Sequence, residues 1–250
     1  MAGHSHAANI MYRKAAVDSK RSKLWSKLAR AIIVAARMGG ADPDSNLKLR
    51  YAIADAKAVS MPKDNIERAI KKGTGDLEGE SLDETIYEGY GPGGVAVLCE
   101  ILTDNRNRTA PEIRKIFETH GGKLGATNCV AWLFERKGVF LISAAKASEE
   151  KLMEVTLDAG AEDIKSEGDS FLVTCPVDSF NSVGEALTAA GIEPESKRIA
   201  RLPSNTVEVT SAEAAKEVLG LVESLDDHDD VQSVSANFSI TDEALAAIGK

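Results

Sequence analysis

The sequence predicts a multidomain α+β protein: an N-terminal three-helix bundle followed by two α/β domains, one of them ferredoxin-like and inserted in the other. Three observations lead there. Apolar residues recur at helical spacing through the first seventy-odd positions. From Val139 the order of periodic segments becomes strand, helix, strand, strand, helix, strand, which is the ferredoxin-like plan. A further helix and strand follow that unit and have no place in it, so they return to an earlier sheet. The expected domains are residues 1–75, residues 82–137 with 204–250, and residues 138–203 as the insert. A chain of 250 residues is long enough to bury such cores without disulfide or metal staples.

Each helix of the bundle has a local reason. Residues 1–12 are small and polar without a period and read as a flexible arm. Leu24, Leu28, Ala31, Ile32 and Ala35 mark one face of a helix over 15–38, which Gly39 and Gly40 end. Asp42 is the expected cap and Pro43 the first residue of a second helix, with Leu47, Tyr51, Ala54, Ala58 and Met61 inward. Pro62 opens a third, whose Ile66, Ala69 and Ile70 face inward before Gly73.

Residues 74–81 are glycine-rich and acidic and read as a linker. Segments 85–90 and 95–102 read as strands around a tight Gly91-Pro92-Gly93-Gly94 hairpin, with a helix over 111–120 behind them. Segments 130–135 and 139–142 are expected as strands across an Arg136-Lys137-Gly138 turn. The insert then runs helix 148–159, strands 161–167 and 170–175, helix 178–190 and strand 193–202. A helix over 211–225 and one last strand over 231–240 close the chain.

Charge is distributed unevenly along the chain. The net charge is −9, from 30 Lys and Arg against 39 Asp and Glu. Residues 1–75 hold fifteen cations and six acids, a balance of +9, and the remainder therefore carries −18. A basic module for a polyanion joined to an acidic body fits this split, as does a basic face docking on an acidic one. On the first helix, at about 100° per residue, Lys20, Lys23, Lys27, Arg30 and Arg37 fall within roughly 260–360°. The apolar group falls within roughly 20–140°, although Ile33 and Val34 interrupt the basic side. With Arg13 and Lys14 on the preceding arm, these seven cations are the candidate phosphate contacts. The third helix offers Asn65, Arg68 and Lys71 for base edges, which is thin equipment for sequence readout.

A second candidate is the polar segment 103–109, running from a strand end into a helix. Thr109 is the expected cap there, with Asp104 and Asn105 in a turn. The other reading has Asn105, Arg106, Asn107 and Arg108 contacting a phosphate or a partner carboxylate. The ferredoxin-like unit does not read as an RNA-recognition module. Its strand 170–175 holds one phenylalanine, with Glu167 and Asp169 just before it.

Other chemistry finds little support. Gly89 to Gly94 sits between strands and does not open a helix, so it is no dinucleotide loop. His4, His6, His120 and His228 form no ligand pair, and Asp226 to Asp230 reads as a solvated loop. No cofactor and no catalysis are expected. Cys99, Cys129 and Cys175 are odd in number and far apart, which predicts neither a disulfide framework nor a zinc ribbon and suits a reducing cytosol. No apolar run approaches the roughly 18 residues of a membrane span.

Several segments carry a resemblance. They are Met1-Ala-Gly-His-Ser5, Ala8-Asn-Ile10, Arg13-Lys-Ala15, Met61-Pro-Lys-Asp64, Ile66-Glu-Arg-Ala-Ile70, Tyr87-Glu-Gly-Tyr-Gly-Pro-Gly-Gly94 and Thr103 to Thr109. Through them the chain resembles the YebC family, the PmpR-type transcriptional regulators, whose mitochondrial relative is the translational activator of cytochrome c oxidase. His6 and Ala7 depart from the Lys-Trp usual after the opening motif. The resemblance implies a three-domain, cytoplasmic, non-enzymatic protein of gene expression that binds DNA. Its alternative implication is a factor bound to ribosomal RNA on the ribosome, easing synthesis of proline-rich stretches.

Overall fold

The structure, a computed structural model, describes residues 21–75 and 82–248, with side chains described from Leu24 onward. The arm, its histidines, Arg13, Lys14, Lys20 and the side chain of Lys23 lie outside that range. Among the described residues three helices come first: α1 (Arg21–Gly39), α2 (Leu47–Ala58) and α3 (Lys63–Thr74). The helix α1 ends where its glycines stand, Gly40 taking a left-handed φ of 85°.

Asp42 does not begin the second helix. Its carboxylate accepts the Asp44 N–H and the Ser45 hydroxyl in a separate turn, and Asn46 is the cap. The Asn46 side chain accepts from Leu49 N at 3.1 Å and donates to the carbonyls of Ala35 and Gly40. One buried amide thus closes α1 and opens α2, satisfying orphan groups at both ends. With that start the inward face of α2 is Leu49, Ala52 and Ala56, while Leu47 is half exposed. Tyr51 points elsewhere, its ring meeting Phe180 of the inserted unit edge-on at 5.5 Å.

Gly73 lies inside α3 and lets it cross α1 closely. A Cβ there would stand 2.4 Å from the Ile33 carbonyl oxygen and 2.7 Å from Ala36 Cβ.

Strands β1 (Asp83–Tyr90) and β2 (Ala96–Thr103) form the antiparallel hairpin expected around Gly91 to Gly94. Helix α4 (Arg106–Thr119), β3 (Lys123–Leu124) and, much later, α7 (Ala212–Asp226) and β9 (Val231–Ala236) complete this unit. Its sheet has the order β3-β1-β2-β9. Ile113 and Phe117 of α4 and Val218, Leu221 and Leu225 of α7 bury one face. Residues 128–134 cover part of the other, resting Val130, Leu133 and Phe134 on Ala96 and Leu98.

Between β3 and α7 the chain makes the ferredoxin-like unit. It comprises β4 (Phe134–Ser143), α5 (Glu149–Thr156), β5 (Asp163–Glu167), β6 (Ser170–Pro176), α6 (Phe180–Ala189) and β7 (Ser196–Pro203). The sheet order β5-β6-β4-β7 is all antiparallel. The expected turn at Arg136-Lys137-Gly138 is absent, because β4 runs straight through it and pairs on both sides. Gly138 serves packing here: a Cβ would come within 2.6 Å of Cys175 Sγ and 2.7 Å of the Phe180 ring. The last expected strand is also two. Asn237, buried, accepts the Ala96 N–H with its side chain, so the chain leaves β9 and forms β10 (Phe238–Ile240). Strand β10 pairs in parallel with β8 (Val207–Val209), ahead of α8 (Asp242–Ile248). No described helix is long and apolar enough to cross a membrane.

Gly73→Ala should destabilise the protein by about 1–3 kcal/mol despite alanine's better helix propensity, because the added methyl meets backbone. Guanidinium unfolding of the variant against wild type measures it; an unchanged or higher midpoint would contradict the close crossing.

Candidate nucleic-acid interface

The basic side of α1 is not open along its length. Residues 32–36 are buried all round the helix, including Ile33 and Val34, which interrupt the cation stripe. Ile33 belongs to the bundle core beside α3, and nearer the start of α1 the basic side docks on the segment after α7. Lys27 donates to the backbone carbonyl of Asp226 and lies 3.5 Å from its carboxylate. Arg30 donates to the Asp229 carbonyl and to Asp230 Oδ1, both at 2.7 Å. Lys27 and Arg30 are therefore engaged within the chain, whereas the stripe alone suggested contact with solvent phosphates. Arg37 is exposed at the far end of α1.

Asp226 to Asp230 is correspondingly not a simple solvated loop. Asp230 has 2% of its side chain exposed. Its Oδ2 accepts from Thr109 Oγ1 at 2.6 Å, Arg108 Nη2 at 2.7 Å and Thr103 Oγ1 at 3.1 Å. Burial alone would push its pKa up, but hydrogen bonds from Thr109, Arg108, Arg30 and Thr103 outweigh it and bring it down to about 2. The ion pair raises the pKa of the Arg108 guanidinium.

The second candidate segment takes its shape from the same carboxylate. Asn105, not Thr109, caps α4, accepting from Arg108 N at 3.1 Å. Thr109 is buried and bonded to Asp230. Arg108 also pairs with Asp104 at 2.9 Å, and Arg106 pairs with Asp83 at 3.4 Å. Asn107 is exposed. The carboxylates that Arg106 and Arg108 meet belong to this chain. Beside them lies an open cleft of about 750 Å³. Asp104, Glu112, Asp227, Asp229 and Asp230 outnumber Arg30, Arg108 and Lys115 on its walls, which makes it a poor seat for a polyanion.

Cations without a carboxylate partner are found on another helix. Ile66, Ala69 and Gly73 are the buried face of α3; at about 100° per residue Arg68 and Lys71 point roughly 130–170° from its centre, beside Asp64 and Glu67, and Lys72 stands on the flank, roughly 90° away. Arg68 and Lys71 are exposed and Lys72 half-buried, and among the described residues none of the three forms an ion pair, nor does Lys57. Lys71 and Lys72 occupy the last turn, where the helix dipole favours positive charge. The spacing of Arg68 and Lys71 is visible in the sequence, but which cations carry a carboxylate partner is not.

Two family descriptions match the chain: the TACO1/YebC N-terminal domain over residues 5–76, and the TACO1/YebC second and third domain over residues 82–238. The chain belongs to the TACO1/YebC family. Among its YebC relatives, a "Probable transcriptional regulatory protein" of Rhodopirellula baltica is 53% identical, covering 98% of this chain and all of its own. One of the same description from Natranaerobius thermophilus is 54% identical, covering 98% of this chain and 99% of its own. The crystal structure of a conserved hypothetical protein from Aquifex aeolicus superposes with a TM-score of 0.81 at 48% identity, covering 91% and 93% of the two chains.

Two outcomes follow from the Asp230 cluster. Asp230→Ala should cost about 2–3 kcal/mol in denaturant unfolding, since it removes the shared acceptor of Arg30 and Arg108 and of two buried hydroxyls. A loss under about 1 kcal/mol would contradict the role given to it. The second concerns pH. A carboxylate held below its ordinary value of 3.8 contributes stability that is complete above about pH 4 and fades as pH falls toward about 2. About 2 kcal/mol should disappear over that window. Urea melts at pH 5, 3 and 2 should show this loss, and Asp230→Asn should remove that part of the pH dependence.

Proposed function

We propose that this YebC-family protein is a non-enzymatic, cytoplasmic regulator of gene expression that binds nucleic acid through its helical domain. Arg13, Lys14, Lys20 and Lys23 of the leading segment, Arg37, and Arg68, Lys71 and Lys72 of α3 contact phosphates. Lys27 and Arg30 hold that domain to the acidic body. The observation that carries the proposal is α3, whose Arg68 and Lys71 point outward and whose Lys72 flanks them, none of the three in an ion pair among the described residues, in a domain with a +9 balance. The names of the relatives support a role in transcriptional regulation, and DNA is the partner we propose for it.

A second reading, a ribosome-associated translation factor, is favoured by the composition of the same helix. Arg68 on the outward side and Asn65 on the flank are the helix's best-suited readers of base edges, alongside Lys71 and Lys72. Such a helix grips a backbone better than it reads a sequence. Comigration with ribosomes in low-salt sucrose gradients, without tight binding to any promoter fragment, would favour this reading.

Arg68→Glu/Lys71→Glu/Lys72→Glu should weaken duplex binding at least about tenfold at 0.1 M salt. It should also make the slope of log K against log salt shallower by roughly 3, since about three phosphate contacts are lost. Lys165→Glu, on the ferredoxin-like unit, should do neither. Fluorescence anisotropy across a salt series measures both, and a triple variant that binds like wild type while keeping its melting temperature would overturn the proposal.

A further inference from the structure

Trp132 is the most exposed large hydrophobic side chain described, with 73% of its surface accessible, and Tyr90 is 42% accessible. The two are not scattered. Trp132 Nε1 and Tyr90 Oη both donate to the carbonyl oxygen of Cys129, each at 3.2 Å. Their polar tips therefore converge on one acceptor while both rings keep solvent-facing surface.

The backbone beneath them is fixed. Glu88, 3% exposed, points its carboxylate into the segment and accepts the N–H groups of Asn128, Val130 and Ala131 at 2.7–2.8 Å. Gly125 N donates to the Glu88 carbonyl, and Asn128 takes a left-handed φ of 64°. A buried carboxylate spending three hydrogen bonds on one turn makes a rigid mount. The fold needs Val130, Leu133 and Phe134 from this segment, but the Trp132 side chain lies outside the buried clusters.

The surroundings select an occupant. Lys123 lies directly opposite Tyr90 in the β1–β3 ladder, on the same sheet face, exposed and in no ion pair among the described residues. Lys123 is the cation this ladder places beside Tyr90; Lys137, nearby in sequence, is taken up by Glu135 and Glu162. Gly125, Ala126, Thr127 and Asn128 provide no contiguous apolar wall of the kind a hydrophobic peptide would require. Two rigid aromatic faces beside an unpaired cation are what unstacked nucleobases with an adjoining phosphate recognise.

We infer that Tyr90 and Trp132, with Lys123, form a stacking platform for unpaired bases of single-stranded nucleic acid, separate from the phosphate-binding face of α3. This rests on the reading of the protein as nucleic-acid-binding. It adds that the bound strand is unpaired where it meets the first sheet.

The chain has two tryptophans, so Trp25→Phe leaves Trp132 as sole reporter. In that background a twelve-residue oligouridylate should quench the emission, and a duplex of equal length should not. Trp132→Ala in the full chain should weaken binding of fluorescein-labelled oligouridylate by about 5- to 150-fold, the worth of one stacked base. Trp132→Phe should recover part of that loss. Because the side chain is exposed, the melting temperature should hold, which separates lost contact from lost fold. Duplex affinity should be unaffected by Trp132→Ala and sensitive to the α3 charge reversals. If Trp132→Ala binds oligouridylate as wild type does, or if duplex and single strand quench alike, the platform is overturned while the α3 proposal stands. No binding to either probe would overturn both.

Discussion

The Asp230 carboxylate determines how the helical bundle sits on the rest of the molecule. A charge with only 2% of its side chain exposed is tolerable only when its lone pairs are filled, and four side chains from three elements fill them. Thr103 ends β2, Thr109 and Arg108 stand in the first turn of α4, and Arg30 comes from the bundle. The polar strand end, the helix start and the placement of α1 are thus parts of one hydrogen-bonded cluster. Other ties assist it: Lys48 pairs with Glu84, and Tyr51 packs on Phe180.

The charge asymmetry consequently has two meanings in one domain. Part of it is internal adhesion, Lys27 and Arg30 meeting the acidic segment after α7. Part is left on the outer face of α3, pointing away from the packed helices. Summed charge does not distinguish these uses, because a count carries no direction. Only the tertiary placement of the carboxylates sorts cations that bind the protein to itself from those available to a partner.

Features with local causes were legible in the sequence. The glycine pair closing α1, the hairpin at Gly91 to Gly94 and the order of the ferredoxin-like unit all follow from backbone preferences and periodicity. Features with distant causes were not. Asp42 and Asn46 are both good capping residues, and what decides for Asn46 is the pair of carbonyls it reaches at the end of α1. Gly138 has the look of a turn residue, yet Phe180 and Cys175 demand it within a strand. Asn237 splits the last strand only because Ala96 is there to be bonded. Asp230 reads as one of several exposed acids, since its partners in β2 and α4 lie more than 120 residues earlier. Trp132 and Glu88 carry no signal in isolation, because exposure and a buried mount are both properties of the assembled sheet.

Strand β4 leaves the Glu88-pinned segment with no slack: Leu133 ends the 3₁₀ turn and Phe134 already pairs with Pro203. Ten extended residues then cross the second sheet, a span of roughly 33 Å. The two α/β units are thus joined by one continuous strand, which starts beside the Glu88-pinned segment and ends at Ser143 paired with Ser170, so a shift of that pinned segment passes directly into the second sheet's central strand.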